Sequence, residues 1–173
     1  KTLSLTSVEG VGIYWQHSRQ TGQLSGMLKQ WAENTRSLAG RIPKRYPDFS
    51  SALKRLMTSN PHLSEARAQH LTSHGTNQNE DGSFSWKFDN YTHPQPSTGL
   101  SSSDLIELWD GISCPALLLN AKQGFEHRIG QDGTSKHFNN LVTLDIDQAG
   151  HWLHHDQFEQ FIANLKSFLA SSA

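Results

Sequence analysis

The 173-residue sequence predicts an α/β fold, in which a doubly wound, mostly parallel sheet carries a helical cap insertion. Two separate segments of strand character, near the start of the chain and beyond residue 111, predict the sheet. Residues 13–110 between them have mainly helical patterning, and an amphipathic helix closes the chain. Strands that alternate with helices favour parallel pairing over a simple antiparallel meander.

The first strand is predicted over Leu3–Val8, where apolar and polar residues alternate. The turn-prone run Glu9–Gly12 follows it, so Glu9 would stand at the carboxyl end of the strand. We therefore assign residues 1–12 to a core strand with its acid-bearing loop.

Residues 13–110 are predicted to form the cap insertion. Apolar residues recur at helical spacing over residues 21–38, and a second helix is expected from Phe49 until just before Asn60-Pro61. A third helix is expected to begin at the capping residue Ser64. Alternating aromatic residues at 84, 86 and 88 predict one half-exposed strand.

Residues 111–173 are predicted to return to the sheet. The continuous apolar run at 116–120 follows Pro115 and is typical of a strand covered on both faces. Another strand is predicted over 141–146, and the final helix has one apolar stripe with Asp156 and Glu159 placed as a cap pair.

Composition and charge narrow the possible functions. Fifteen basic side chains against sixteen acidic ones leave a net charge of -1, which favours neither a nucleic-acid partner nor an anionic membrane. No apolar run approaches the roughly 20 residues that a membrane span needs. The single cysteine, Cys114, excludes an internal disulfide framework and suits a reducing compartment, so we expect a cytoplasmic protein. We expect no cofactor.

Three segments carry a resemblance to a known family. The loop and helix start Ala149–Gln157, the buried run Cys114–Asn120 and the opening run Leu5–Gly12 together resemble the C-terminal portion of the α/β-hydrolase family. In that family a Gly-His loop after the last strand presents the catalytic imidazole, and His151 matches that position. The resemblance implies that His151 is a general base, a role suited to a group that titrates near pH 7.

The resemblance leaves the partner acid of His151 open. The family's usual acid follows the penultimate strand, but the residue that we align to it is Gln123, whose neutral amide cannot stabilise an imidazolium as a carboxylate does. Certain haloalkane dehalogenases place the acid after the preceding strand, and Glu9 matches that alternative. Glu9 is therefore the favoured catalytic acid, with Glu126 in reserve.

The sequence contains no Gly-x-Ser-x-Gly nucleophile elbow. The resemblance therefore implies that the nucleophile and the first strands belong to an N-terminal part of the same fold, and that this chain alone is inactive. A serine nucleophile predicts hydrolysis of an ester-like or other small organic substrate. An aspartate nucleophile predicts haloalkane dehalogenase or epoxide hydrolase chemistry. A non-catalytic binding pseudoenzyme is the remaining alternative.

The weaker patterns have simpler explanations. The Ser-x-x-Lys run from Ser51 to Lys54 is common by chance. His151, His154 and His155 have metal-ligand spacing, but they precede the predicted helix and no supporting motif accompanies them, so no metal site is expected. Some aromatic residues could line a substrate pocket, although packing is the simpler interpretation: Tyr14, Trp15, Trp31, Trp86 and Trp109.

Overall fold

The computed structural model describes residues 2–10, 24–39, 41–89, 101–124 and 133–172. The contacts divide the chain into two compact units. Residues 1–18 and 100–173 form the first unit, and residues 19–99 form the second. Three residues singled out from the sequence, Tyr14, Trp15 and Glu126, lie outside the described residues.

A three-stranded parallel sheet organises the first unit. Its strands are β1 (Leu5–Val8), β5 (Ala116–Ala121) and β6 (Leu141–Ile146), in the order β1-β5-β6. Val8 pairs with Leu119, and Leu119 pairs with Leu144. The predicted strands and their parallel arrangement are confirmed, and all three strands end at the same edge of the sheet.

The central strand β5 is covered on both faces, as its continuous apolar run predicted. All six of its residues are buried. Alternate side chains belong to two separate apolar clusters, because successive side chains of a strand point to opposite faces. The first cluster contains Leu117, Leu119, Ala121, Ile146, Ala149, Leu153 and Phe168, and the second contains Leu118, Trp109 and Phe138.

Helices flank this sheet in the first unit. They are α4 (Ser102–Asp110), a short 3₁₀ helix (Thr134–His137), α5 (Leu153–Asp156) and α6 (Phe158–Ser171). Helix α4 begins with a capping box in which Ser101 and Asp104 each bind the other's backbone N–H. The expected Asp156–Glu159 cap pair is wrong, because α6 begins after Gln157 and has no side-chain hydrogen bond at its cap.

The limits of the second unit differ from those predicted for the insertion. The insertion was expected to end at residue 110, whereas the second unit ends at residue 99. Helix α4 accounts for the difference, since Trp109 on that helix is only 2% exposed and packs with Leu118 and Phe138. This helix therefore belongs to the sheet-containing unit.

The second unit contains the three helices expected from the sequence: α1 (Leu24–Ala39), α2 (Phe49–Ser59) and α3 (Glu65–Gly75). The side chain of Asp48 accepts a hydrogen bond from the backbone N–H of Ser51 and caps α2. Ser64 caps α3 in the same way, as predicted. These helix starts therefore follow local rules that are visible in the sequence.

The second unit also contains a small antiparallel sheet, in the order β2-β4-β3. Its strands are β2 (Arg45–Tyr46), β3 (Thr76–Gln78) and β4 (Phe84–Trp86). The sequence predicted β4 alone, from its alternating aromatic residues. Strand β2 has only two residues and β3 is polar throughout, so neither has an apolar–polar alternation. No helix within the described ranges is long and apolar enough to cross a membrane.

Candidate active site

The loops that leave the three parallel strands bring the candidate residues together. Glu9 directly follows β1, Gln123 and Gly124 follow β5, and His151 lies in the loop after β6. In open α/β sheets this carboxyl edge is where ligands bind. The sequence-predicted pair Glu9 and His151 thus lies within one unit, at one edge of one sheet.

Glu9 is a buried acid held firmly by backbone groups. Its side chain is 0% exposed, and its Oε1 atom accepts a hydrogen bond from the backbone N–H of Ala121. The backbone N–H of Glu9 donates to the carbonyl oxygen of Leu119 at 2.9 Å. Its φ of 57° lies in the left-handed region, which residues other than glycine seldom adopt and which is enriched at functional sites.

His151 faces this carboxylate. The Nδ1 atom of His151 lies 3.6 Å from the Oε2 atom of Glu9, an ion-pair contact when the imidazole is protonated. The side chain of His151 is 39% exposed, but its Nδ1 atom is buried, so the accessible part of the ring lies away from Glu9. The separation slightly exceeds a hydrogen bond.

Gln123 anchors the loop that carries His151. Its backbone N–H donates to the carbonyl oxygen of Ala149 at 3.1 Å, and its side-chain Oε1 accepts from the backbone N–H of Ala149, also at 3.1 Å. Its Nε2 atom donates to Asp147 Oδ1 at 3.4 Å. Hydrogen bonds from the Gln148 backbone and the Gln123 side chain, with the charge of Lys122, hold the pKa of Asp147 below its usual range.

Asp156 anchors the other side of the same loop. Its Oδ2 atom accepts a hydrogen bond from the backbone N–H of Gly150 at 2.9 Å. Gly150 immediately precedes His151, so this bond restrains the backbone next to the imidazole. Asp156 therefore supports the histidine loop instead of capping the final helix as its spacing had predicted.

A cluster of rings adjoins His151. His154 and His155 lie within α5, although both were expected to precede the helix, and their ring centroids are 4.1 Å apart. Burial lowers the pKa of His154, against the opposing charge of Asp156, and His151 adds to the lowering. Among the described residues no group of three or more His, Cys, Asp or Glu side chains could hold a metal ion.

The other residues singled out from the sequence lie elsewhere. Ser51 and Lys54 are both on α2 in the second unit, where the Ser51 backbone N–H takes part in the helix cap. Trp109 packs inside the first unit. Trp86 packs against Gly75, where an added Cβ would lie 3.0 Å from the indole. Trp31, on α1, is 38% exposed.

Gly124, which directly follows Gln123, was not predicted from the sequence. A Cβ atom built on Gly124 would lie 2.7 Å from Cδ and 2.8 Å from Oε1 of Glu9. The lack of a side chain at position 124 therefore leaves the space that the Glu9 carboxylate fills. The residue type was visible in the sequence, but its contact with Glu9 arises only when β1 and β5 pair.

The geometry at this edge of the sheet suits acid–base chemistry. A buried carboxylate faces a partly exposed imidazole at the carboxyl edge of a parallel α/β sheet, an arrangement suited to moving protons at a bound substrate. No protein-family model and no curated protein sequence matches the chain. Solved structures do match it, however, over nearly its whole length.

Three of these structures illustrate the likeness. A hypothetical protein from Pseudomonas aeruginosa PAO1 is 18% identical, with 96% of this chain and 58% of that chain covered and a TM-score of 0.77. An E-2-(acetamidomethylene)succinate hydrolase is 16% identical, with 96% and 57% covered and a TM-score of 0.68. The thioesterase domain from the curacin biosynthetic pathway is 19% identical, with 95% and 57% covered and a TM-score of 0.74.

These likenesses establish the fold. The chain has an α/β-hydrolase fold, as the resemblance in its sequence implied. It spans 57–58% of the length of these three structures.

Proposed function

We propose that this chain is part of a hydrolase in which His151 is the general base and Glu9 is the acid that orients it. The substrate is an ester-like or similarly small organic molecule. The observation that carries the proposal is the 3.6 Å approach of a fully buried carboxylate to the buried Nδ1 atom of a partly exposed imidazole. The names of two similar structures, a hydrolase and a thioesterase, agree with this class of reaction.

In the proposed mechanism, the exposed side of the His151 ring removes the proton from a serine hydroxyl as its oxygen attacks the substrate carbonyl. The imidazolium then returns that proton to the departing alcohol, which leaves an acyl-enzyme. A water molecule, deprotonated by the same ring, cleaves the acyl bond and regenerates the hydroxyl. Throughout the cycle Glu9 keeps the Nδ1 side of the ring oriented and stabilises its positive charge.

The nucleophile in this proposal comes from a partner segment outside the chain, the N-terminal part of the same fold. The described part of β1 pairs only with β5, so the outer edge of β1 is where a further parallel strand would add. In the same proposal, residues 19–99 act as a cap that controls access of the substrate. The balanced charge of the chain agrees with a small-molecule substrate rather than a polyanion.

The direct test replaces Glu9 in the polypeptide that joins this chain to its nucleophile segment. Glu9→Gln preserves shape but removes the charge, so kcat for p-nitrophenyl esters should fall by on the order of 10³ to 10⁴. His151→Ala should cause a loss of at least that size. The matched control is Glu107→Gln, which changes an exposed glutamate of α4 and should leave kcat unchanged. Full activity of the Glu9→Gln enzyme would remove Glu9 from the mechanism.

An aspartate nucleophile is the second candidate, favoured by the position of the acid directly after β1. A carboxylate attacks carbon without losing a proton, so His151 would be needed only to activate the water that cleaves the alkyl-ester intermediate. The two chemistries therefore respond differently to His151→Gln. With a haloalkane or epoxide substrate, an aspartate enzyme should accumulate a covalent adduct visible by intact-protein mass spectrometry.

A serine enzyme with the same substitution should form no such adduct from an ester, because its first step already requires the base. A pseudoenzyme gives a third outcome, in which small organic molecules bind with equal affinity to the unchanged and His151→Gln proteins and no turnover occurs. Calorimetric titration, run beside the mass measurement, separates this outcome from the first two.

A further inference from the structure

We propose that Gly124 is a positioning residue, whose missing side chain allows the Glu9 carboxylate to stand beside His151. This inference rests on the proposed function and adds a residue to it. The geometric observation is that a Cβ atom at position 124 would approach three atoms of the Glu9 carboxyl group within 3.0 Å, closer than real Cβ atoms come to other atoms. The two residues thus compete for one small volume.

Neither partner can easily yield that volume. The Glu9 carboxylate is held by the Ala121 N–H, and the Glu9 backbone is held by Leu119. Gly124 is equally restrained, since its N–H donates to the carbonyl oxygen of Ala121 at 3.1 Å. A methyl group at position 124 must therefore push the carboxylate aside or shift the turn after β5.

Either displacement reaches His151. Moving the carboxylate changes its 3.6 Å separation from Nδ1 directly. Shifting the turn moves the neighbouring residue Gln123, whose two hydrogen bonds to Ala149 anchor the histidine loop. Gly124 therefore acts through Glu9 and His151 without contacting the substrate itself.

The first experiment is Gly124→Ala in the polypeptide that includes the nucleophile segment. Displacing an orienting group by about 1 Å can cost about 10²-fold in rate, so kcat should fall by about that factor while KM changes little. The matched control is Gly111→Ala, also in the first unit, where an added Cβ would lie 3.4 Å from its nearest neighbour, an ordinary contact. Normal turnover by Gly124→Ala would overturn the inference.

The second experiment moves the acid. An aspartate at position 124 would direct its carboxylate into the volume that Glu9 vacates in a Glu9→Ala background. The kcat of Glu9→Ala/Gly124→Asp should therefore be at least about tenfold higher than that of Glu9→Ala. The kcat of the isosteric but neutral Glu9→Ala/Gly124→Asn should be no higher than that of Glu9→Ala. A purely structural role for Gly124 predicts no difference between these two double variants, and equal activities would contradict the proposal.

A second variant tests the inference in case Gly124→Ala fails to fold. If Gly124→Ala does not fold, Glu9→Ala/Gly124→Ala should fold again, because the clashing carboxylate is gone. A double variant that remains unfolded would overturn the inference. Failure of the proposed function looks different: Glu9→Ala would then keep full activity, whereas failure of this inference alone leaves Glu9→Ala inactive and Gly124→Ala active.

Discussion

Gln123 and Ala149 are joined by two hydrogen bonds that run in opposite directions, one from the Gln123 backbone N–H and one to the Gln123 side chain. The pair ties the turn after β5 to the loop that carries His151. Gln123, which stood in the sequence as a neutral departure from a family position, therefore has a defined structural role, because it fixes the histidine loop relative to the sheet.

Gln123→Ala should destabilise the protein. Ala149 is 0% exposed, so its backbone N–H would lose its acceptor inside the protein, at a cost of about 1–3 kcal/mol in the free energy of unfolding. Urea denaturation followed by fluorescence measures this loss. Gln157→Ala is the control, because it removes an exposed hydrogen bond to Gln148 on the same loop and should cost less than about 1 kcal/mol. Equal costs would refute the anchoring role.

Asp156→Ala should loosen the backbone next to His151. The Gly150 amide would lose its carboxylate acceptor, so its hydrogen exchange should become faster than in the unchanged protein. Asp156→Asn keeps a carbonyl oxygen in place and should retain most of the protection. Amide exchange measured by NMR distinguishes the variants, and an unchanged rate in Asp156→Ala would show that the bond does not restrain the loop.

His154 should make stability depend on pH. Burial lowers the pKa of its imidazole in the folded state, so the unfolded chain takes up the proton first as pH falls below the ordinary value of 6.5. The contribution of the uncharged His154 to the free energy of unfolding is therefore fully present above pH 6.5. It is lost as pH falls from 6.5 toward the lowered pKa of the folded state. Urea denaturation between pH 8 and pH 5 should show that the free energy of unfolding falls less steeply in His154→Gln than in the unchanged protein. Identical slopes would contradict the assignment.

Trp109 and Leu108 provide a matched pair on α4. Trp109 is 2% exposed and packs with Leu118 and Phe138, whereas Leu108 is 56% exposed. Trp109→Ala should lower the free energy of unfolding by about 3–5 kcal/mol, and Leu108→Ala should lower it by less than about 1 kcal/mol. Chemical denaturation of both variants measures the difference. A small loss for Trp109→Ala would place α4 outside the core.

The sheet of the first unit could be predicted because its signals are local. The run after Pro115 is apolar at consecutive positions, and strand β5 is buried on both faces. The helix start at Ser64 likewise follows from a side chain that caps a neighbouring backbone group. Where one short segment contains all the interacting groups, the sequence is sufficient to predict the strand or helix start.

The parts of the site that could not be predicted depend on distant contacts. Gly124 meets Glu9 only because β1 and β5 pair side by side. Asp156 resembled a cap by its spacing, but its carboxylate binds the backbone of Gly150 in the preceding loop. Strands β2 and β3 lack the alternating aromatic residues that mark β4, so nothing in their sequence separates them from the surrounding loops. Such features require the chain to fold before their partners are evident.

The left-handed backbone of Glu9 sets two requirements against each other. Glycine would adopt this conformation without the penalty of about 1 kcal/mol or more that a side chain incurs, yet glycine has no carboxylate to present to His151. Engineering for heat resistance alone would therefore tend to erase the proposed acid. At position 9, therefore, thermal tolerance favours glycine, whereas the proposed catalysis requires glutamate.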